Sequence, residues 1–260
     1  MLAMNLNLTP PEGGSFRDLN ILITGASAGI GRALALHVAQ LGATCLLLGR
    51  NIGALEAVYD EILEKGGPEP AIIPFDLSNL DPERLNEMVE AIADRYHTLD
   101  ALVHNAAILG DRIPFQQYRL TTWSQVFRIN FDAPVALTQA LLPLLQRSNK
   151  GAILFMSSSV GKQPRAYWGA YASSKYAVEG FAKLLVDELH NTSNIRVSIV
   201  NPGATRTKMR KAAYPAEDPS SVKSPADLMP LLTVLISPFS DAPRGHRFES
   251  NGTGEPIGEV

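Results

Sequence analysis

The sequence predicts an α/β protein, one domain built on a doubly wound parallel sheet with helices on both faces. Three observations predict it. Short apolar runs alternate with segments of helical periodicity from Asn20 to Val200, the pattern of parallel strands joined by crossover helices. The first strand-to-helix connection is rich in glycine. No stretch rich in Pro, Gly or Ser divides the 260 residues, and a chain of that length can be served by one core.

Strands are expected at 20–24, 44–49, 71–75, 99–104, 151–157 and 195–200, with a short one near 246–250. Helices are expected between them at 29–42, 51–65, 81–96, 121–147 and 166–190. Residues 1–17 contain Pro10, Pro11, Gly13 and Gly14 and no basic start before an apolar core, so they read as a loose N-terminal extension. The domain is expected over 18–252 and a C-terminal tail over 253–260. Residues 203–224, with Pro215, Pro219 and several charges, read as an excursion over a site.

Composition excludes more than it assigns. A hydrophobic content of 45% and a net charge of −3 describe an ordinary soluble protein without a nucleic-acid footprint. The longest apolar runs fall far short of a membrane span. The single Cys45 cannot form an internal disulfide and sits in an apolar run, which fits a small buried hydrophobe in a reducing, cytoplasmic setting.

The glycine-rich connection reads Thr24-Gly25-Ala26-Ser27-Ala28-Gly29-Ile30-Gly31. Glycines allow a tight turn and let a pyrophosphate reach backbone N–H groups at a helix N-terminus. A strand before it and a helix after it favour dinucleotide binding in a Rossmann-like sheet over a mere packing turn. The second strand ends Leu48-Gly49-Arg50-Asn51, with no acid for a ribose diol but a guanidinium suited to a 2′-phosphate. The alternative for Arg50 is a solvated arginine opening a helix. The third strand ends Phe75-Asp76-Leu77, where the carboxylate could meet an adenine amino group or cap a turn before Pro82. His104, beside an apolar strand, reads as structural. No second histidine or cysteine stands at ligand spacing, so no metal site is expected.

Asn130 lies inside the helix expected at 121–147, and Pro134 follows four residues later. Proline has no N–H, so the Asn130 carbonyl loses its helical partner. The helix either simply bends there or presents a free carbonyl that holds a water in a proton path. Tyr171 and Lys175 stand four apart on the amphipathic helix that follows, stacked on one face. A fixed ammonium is expected to lower the phenol toward working pH from its usual value of about 10. Ser158 can bind a carbonyl or carbinol oxygen. The sixth strand runs into Asn201-Pro202-Gly203-Ala204-Thr205-Arg206-Thr207, which faces the same crevice. Arg206, Lys208, Arg210 and Lys211 read as a solvated helix face, with docking of an anionic partner as the alternative.

Together and in this order, Thr24–Gly31, Asn105-Ala106-Ala107, Asn130, Ser158, Tyr171-x-x-x-Lys175 and Pro202-Gly203-x-x-x-Thr207 resemble the short-chain dehydrogenase/reductase family. Ser158 lies 13 residues before Tyr171, the family's interval, which selects it over Ser157 and Ser159. A closer likeness, to bacterial YciK-type oxidoreductases, is carried by Leu141-Leu142-Pro143-Leu144-Leu145, Trp168-Gly169-Ala170-Tyr171 and Pro225-Ala226-Asp227-Leu228-Met229-Pro230. The resemblance implies about seven strands, a dimer or tetramer formed through the two long helices, and a substrate lid at about 203–224. It implies a catalytic group of Tyr171 as proton donor and acceptor, Lys175, Ser158 for the substrate oxygen and Asn130 for a relay water. It implies NADP(H), with NAD(H) second, bound by Gly25, Ser27, Gly29, Ile30 and Gly31, by Arg50, Asn51, Asp76 and Leu77, by Asn105 and Ala106, by Tyr171 and Lys175, and by Pro202, Gly203, Thr205 and Thr207. The expected activity is hydride transfer between that cofactor and a small carbonyl or alcohol. The rivals are a carrier-linked 3-oxoacyl reductase, docked through 206–211, and a non-catalytic NADP(H)-binding sensor or scaffold. Ala107 departs from the family's glycine, and His104 from its asparagine.

Overall fold

A computed structural model describes residues 4–9 and 15–257. Its nine-stranded sheet runs β1-β9-β8-β7-β6-β5-β2-β3-β4. The strands are β1 Met4–Asn5, β2 Asn20–Thr24, β3 Thr44–Gly49, β4 Ala71–Pro74, β5 Ala101–His104, β6 Ala152–Met156, β7 Arg196–Asn201, β8 His246–Glu249 and β9 Thr253–Pro256. β2 to β8 pair in parallel, while β9 runs antiparallel to β8 and β1.

Helices cover both faces because successive strand residues point to opposite sides. Ile21 and Ile23 of β2 join one buried cluster and Leu22 joins the other. Leu154 and Met156 of β6 divide from Ile153 and Phe155 in the same way. On the first face lie α1 Gly29–Gln40, α2 Ile52–Glu64 and α8 Met229–Ile236. On the second lie α3 Pro82–Tyr96, α5 Ala133–Gln146 and α6 Gly169–Leu189, with α4 Leu120–Phe127 against α6. α7 Lys208–Ala213 lies in the excursion after β7. The strand order reverses between β2 and β5, and a crevice opens there at the carboxyl ends of the strands. No helix among the described residues is long and apolar enough to cross a membrane.

The structure differs from the sequence expectations in four places. The sheet has nine strands because two antiparallel strands are added to the seven parallel ones. One comes from the segment read as a loose extension and the other from the C-terminal tail: β9 covers the β8 edge, and Met4 and Asn5 of β1 pair with its Gly254 and Thr253. Phe16 and Ile257 are buried as well; residues 1–3, 10–14 and 258–260 lie outside the described residues. The helix expected over 121–147 is three pieces, since a π-turn at Arg128–Asp132 separates α4 from α5. There the N–H of Ala133 bonds the Arg128 carbonyl. Pro134 has no N–H to return to Asn130, and the ladder slips to the wider spacing instead of kinking. Finally, α8 was not anticipated.

Candidate active site

The glycine turn is packed, and its shape follows from its neighbours. Gly25 has φ +66° and donates its N–H to the Leu48 carbonyl at 2.8 Å. A Cβ on Gly31 would meet the Gly25 carbonyl oxygen at 2.4 Å and Asn105 Nδ2 at 2.5 Å. Gly29 has φ +56°, and a Cβ there would touch Thr207 Cγ2 at 3.3 Å. Asn105 pins the turn from β5: its Nδ2 donates to the Thr24 carbonyl at 2.9 Å, and its backbone N–H and that of Ala106 donate to Thr24 Oγ1 at 3.0 Å each. Ala28 caps α1 without a side-chain acceptor, so the first-turn N–H groups are free for an anion.

This turn forms one wall of a cavity of about 890 Å³. Of the expected cofactor residues, Ser27, Ile30, Arg50, Asp76, Leu77, Ala106, Tyr171, Lys175, Pro202 and Thr207 also line it, together with Gly25, Gly29 and Asn105. Gly31 acts behind the wall through packing. Four expected residues do other work. Asn51 caps α2, accepting from Ala54 N–H at 3.1 Å. Asp76 accepts from the Ser78 backbone and hydroxyl at 2.9 and 2.8 Å, the turn-capping role, and those bonds hold its carboxyl below the usual range. Gly203, at φ +63°, donates to Asn201 Oδ1 at 3.1 Å. Thr205 is buried and donates to the Pro202 carbonyl at 3.0 Å. Arg32, which the sequence reading passed over, also lines the cavity and pairs with Glu61 of α2; its place directly after Gly31 was the available signal.

The four catalytic candidates gather at one end. Tyr171 and Lys175 lie in the cavity wall, with the Lys175 ammonium 5.7 Å from the phenol ring centre and donating to the Met156 carbonyl at 2.6 Å. Ser158 opens a short turn, where it accepts weakly from Val160 N–H at 3.5 Å, and its hydroxyl bears on the Tyr171 phenol. Asn130 is a layer further in. Its side chain accepts from Ile108 N–H at 2.8 Å and donates to the Ile108 carbonyl at 3.0 Å and to Ser174 Oγ at 3.1 Å. The amide thereby ties the π-turn to the loop after β5 and to α6.

One electrostatic expectation is overturned. Tyr171 is not lowered by its lysine in the ligand-free protein: burial pushes the phenol up to about 12, against the opposing Ser158 hydrogen bond. Burial likewise lowers Lys175 to about 8, against the favourable charge of Glu179. His104 is buried against Phe155, with Nε2 at 2.8 Å from Thr138 Oγ1 and its pKa lowered to about 3 by burial, then by Lys175. It is neutral and structural, as the sequence suggested.

Above the cavity, residues 203–224 are folded back on themselves. Thr207 caps α7 through Arg210 N–H at 3.1 Å, Arg210 Nε pairs with Glu217 Oε2 at 2.7 Å, and the Arg210 guanidinium lies 3.8 Å over Tyr214. Arg206 N–H reaches the Lys223 carbonyl at 2.8 Å. Arg112 adds a guanidinium over Trp168 at 4.6 Å and Tyr214 at 5.0 Å. Ile108 and Tyr214 are cavity wall, whereas Gln163 and Arg165 are exposed and outside it. Among the described residues no group of three His, Cys, Asp or Glu could hold a metal.

Comparison with known proteins agrees with this geometry. Residues 19–218 match the family model for short chain dehydrogenases. The uncharacterized oxidoreductase YciK of Escherichia coli K12 is 44% identical over 246 residues, covering 95% of this chain and 97% of the relative. A short chain dehydrogenase from Shigella flexneri, crystallised with NADP, superposes with a TM-score of 0.89 at 44% identity, covering 92% of this chain and 99% of the other. One from Escherichia coli CFT073, crystallised with NADPH, superposes with a TM-score of 0.87 at 43% identity over 92% and 99%. With the match spanning the glycine turn, the Asn105 brace and the Tyr171–Lys175 helix, the chain belongs to the short-chain dehydrogenase family.

Proposed function

We propose that this chain is an NADP(H)-dependent reductase or dehydrogenase of a small carbonyl or alcohol, with Tyr171 as its proton donor and acceptor. One observation carries the reading: Tyr171 and Lys175 stand in the same cavity wall as the glycine turn. The residues present suit the cofactor found in the two similar crystal structures. Uncapped α1 N–H groups attract a pyrophosphate, and the exposed Arg50 at the rim suits a 2′-phosphate. The bound nicotinamide supplies or takes the hydride.

The chain's own residues handle the rest. Ser158 Oγ orients the substrate oxygen, and Tyr171 delivers its proton to that oxygen as the alcohol forms, or takes it back in oxidation. Lys175 holds a ribose hydroxyl and favours the phenolate after transfer. The Asn130 main-chain carbonyl, set in the π-turn, holds the water that resupplies the proton. Tyr214 and Ile108 form the apolar side of the substrate end. Residues 203–224 act as the lid, and pairing of the long helices α4–α5 and α6 makes a homodimer or homotetramer.

The test is a Tyr171→Phe variant assayed on whichever carbonyl the wild type accepts from a panel of free ketones and aldehydes with NADPH. Turnover should drop by about 10²–10⁴ while NADPH affinity changes less than about threefold. Near-normal turnover would overturn the role of Tyr171.

A further inference from the structure

A buried charged network lies behind the site. Tyr171, Lys175 and Glu179 stack at four-residue intervals along α6, and all three are buried. Glu179 Oε1 accepts from Ser157 Oγ at 2.5 Å and from Arg247 Nε of β8 at 3.2 Å. Arg247 is only 4% exposed, and its Nη2 donates to the Ser158 carbonyl at 3.3 Å. Three consecutive residues at the end of β6 are therefore each held by a different charged side chain: the Met156 carbonyl by Lys175, the Ser157 hydroxyl by Glu179 and the Ser158 carbonyl by Arg247.

The network extends to the base of the lid. Arg247 also pairs with Glu249, which accepts from Asn201 Nδ2 at 2.6 Å, and Asn201 Oδ1 holds the Gly203 N–H. Gly161 closes the turn over it, since a Cβ there would strike Ser157 Oγ at 2.6 Å and Glu179 Oε1 at 2.8 Å. Replacing a buried ion pair with apolar side chains is often neutral or stabilising. Packing alone does not account for a carboxylate and a guanidinium at this place.

We propose that Glu179 and Arg247 are positioning residues for the reaction: together they fix the Met156–Ser158 turn, and Glu179 places its carboxylate one helical turn from the Lys175 ammonium beside Tyr171. This rests on the Tyr171–Lys175 reading given above. The groups facing Lys175 support it. On its own helix these are Tyr171 and Glu179. His104 approaches from β5 and is neutral through the working range, and Arg247 and Glu249 of β8 lie beyond Glu179. Glu179 is the group that favours the ammonium, against burial.

The experiment is an NADPH fluorescence titration of the purified protein in a pH series from about 6 to about 10. Wild type should lose affinity on the alkaline side as Lys175 gives up its proton. Glu179→Gln keeps an acceptor for Ser157 but removes the charge, and should move that alkaline limb down by roughly one pH unit. Glu179→Asp should restore much of the wild-type position. If Glu179→Gln alone does not fold, Glu179→Gln with Arg247→Met leaves no unpaired buried charge and should show the same shift. A limb that stays in place in these charge-removing variants, while Lys175→Met abolishes it, would reduce the pair to packing and overturn the inference. If Lys175→Met itself binds NADPH like wild type at every pH, the reading of the site falls, and this inference with it.

Discussion

Gly31→Ala tests the glycine turn by its packing. Gly31 has an ordinary helical backbone, so the added methyl strains no dihedral angle. Its Cβ would lie 2.4 Å from the Gly25 carbonyl oxygen and 2.5 Å from Asn105 Nδ2, roughly 1 Å inside normal contact. The carbonyl is backbone and cannot swing away. Asn105 could retreat only by giving up its bond to the Thr24 carbonyl at 2.9 Å and its longer one to Gly25 at 3.3 Å. Overpacking costs about 1–3 kcal/mol and one lost amide bond about 1 kcal/mol, so the variant should be destabilised by roughly 2–4 kcal/mol. For a chain of this length that lowers Tm by roughly 4–16 °C. NADPH affinity should fall at least about tenfold, because the displaced turn presents the N–H groups. Gly29→Ala is the contrast. Its φ of +56° costs a side chain about 1–2 kcal/mol, but its methyl meets only Thr207 Cγ2 at 3.3 Å. Thermal melts and cofactor titrations on both should therefore rank Gly31→Ala as the more damaging, although Gly29 has the left-handed backbone. The reverse order would refute the packing account of the turn.

Three further outcomes follow from the site. Arg50→Ala should erase most of an NADPH-over-NADH preference of at least about tenfold, about 1.4 kcal/mol, while leaving NADH affinity nearly unchanged; a wild type that prefers NADH in fluorescence titrations contradicts it. Lys175→Met should stabilise the ligand-free protein at neutral pH. The lysine's folded pKa is lowered from 10.5 to about 8, so its burial cost, on the order of 3 kcal/mol, is fully present below about 8 and gone above 10.5. Less the bond to Met156, about 1 kcal/mol, urea denaturation should show a gain of about 2 kcal/mol near pH 7 that disappears by about pH 10.5. A variant less stable than wild type at both pH values refutes it. Tyr171, raised to about 12, should contribute no phenolate absorbance below its ordinary value of 10.0 in ligand-free protein, read as wild type minus Tyr171→Phe. Its stabilising effect should decline as pH rises from 10.0 toward about 12. A phenolate that forms near neutral pH without cofactor would contradict the burial argument.

The parallel sheet was legible because each strand between Asn20 and Asn201 is a short apolar run followed by a helical period, a local signal. α8 was not, because six of its eight residues are buried and it shows no polar face to give a period. β1 and β9 are two and four residues long, and their pairing joins Asn5 to Thr253 across nearly the whole chain. Nothing near Met4 in sequence specifies that partner. Pro134 signalled that the helix ladder fails, but nothing local showed that a π-turn would follow or that Ile108 and Ser174 would hold the Asn130 amide within it. Glycine positions and the Tyr171–Lys175 spacing could be read directly, since sterics and helix geometry act within a few residues. Burial could not. On sequence, Glu179 is one more charge on an amphipathic helix and Arg247 one more basic residue in a terminal strand. Only their 3.2 Å approach across 68 residues makes them a buried pair.

That burial also corrects the simplest account of the tyrosine. The neighbouring ammonium was expected to decide its pKa, but desolvation disfavours whichever form is charged. It therefore acts in opposite directions on two groups one helical turn apart, raising the phenol to about 12 and lowering the amine to about 8. Each group has one partner working against burial: the Ser158 hydroxyl favours the phenolate and the Glu179 carboxylate favours the ammonium. Ser158 and Ser157, the latter bonded to Glu179, are adjacent in the turn after β6, and Arg247 ties that turn to the same carboxylate. Moving the turn thus alters the surroundings of phenol and ammonium together. The protonation chemistry of this site is set by where β6 ends as much as by the helix that carries Tyr171 and Lys175.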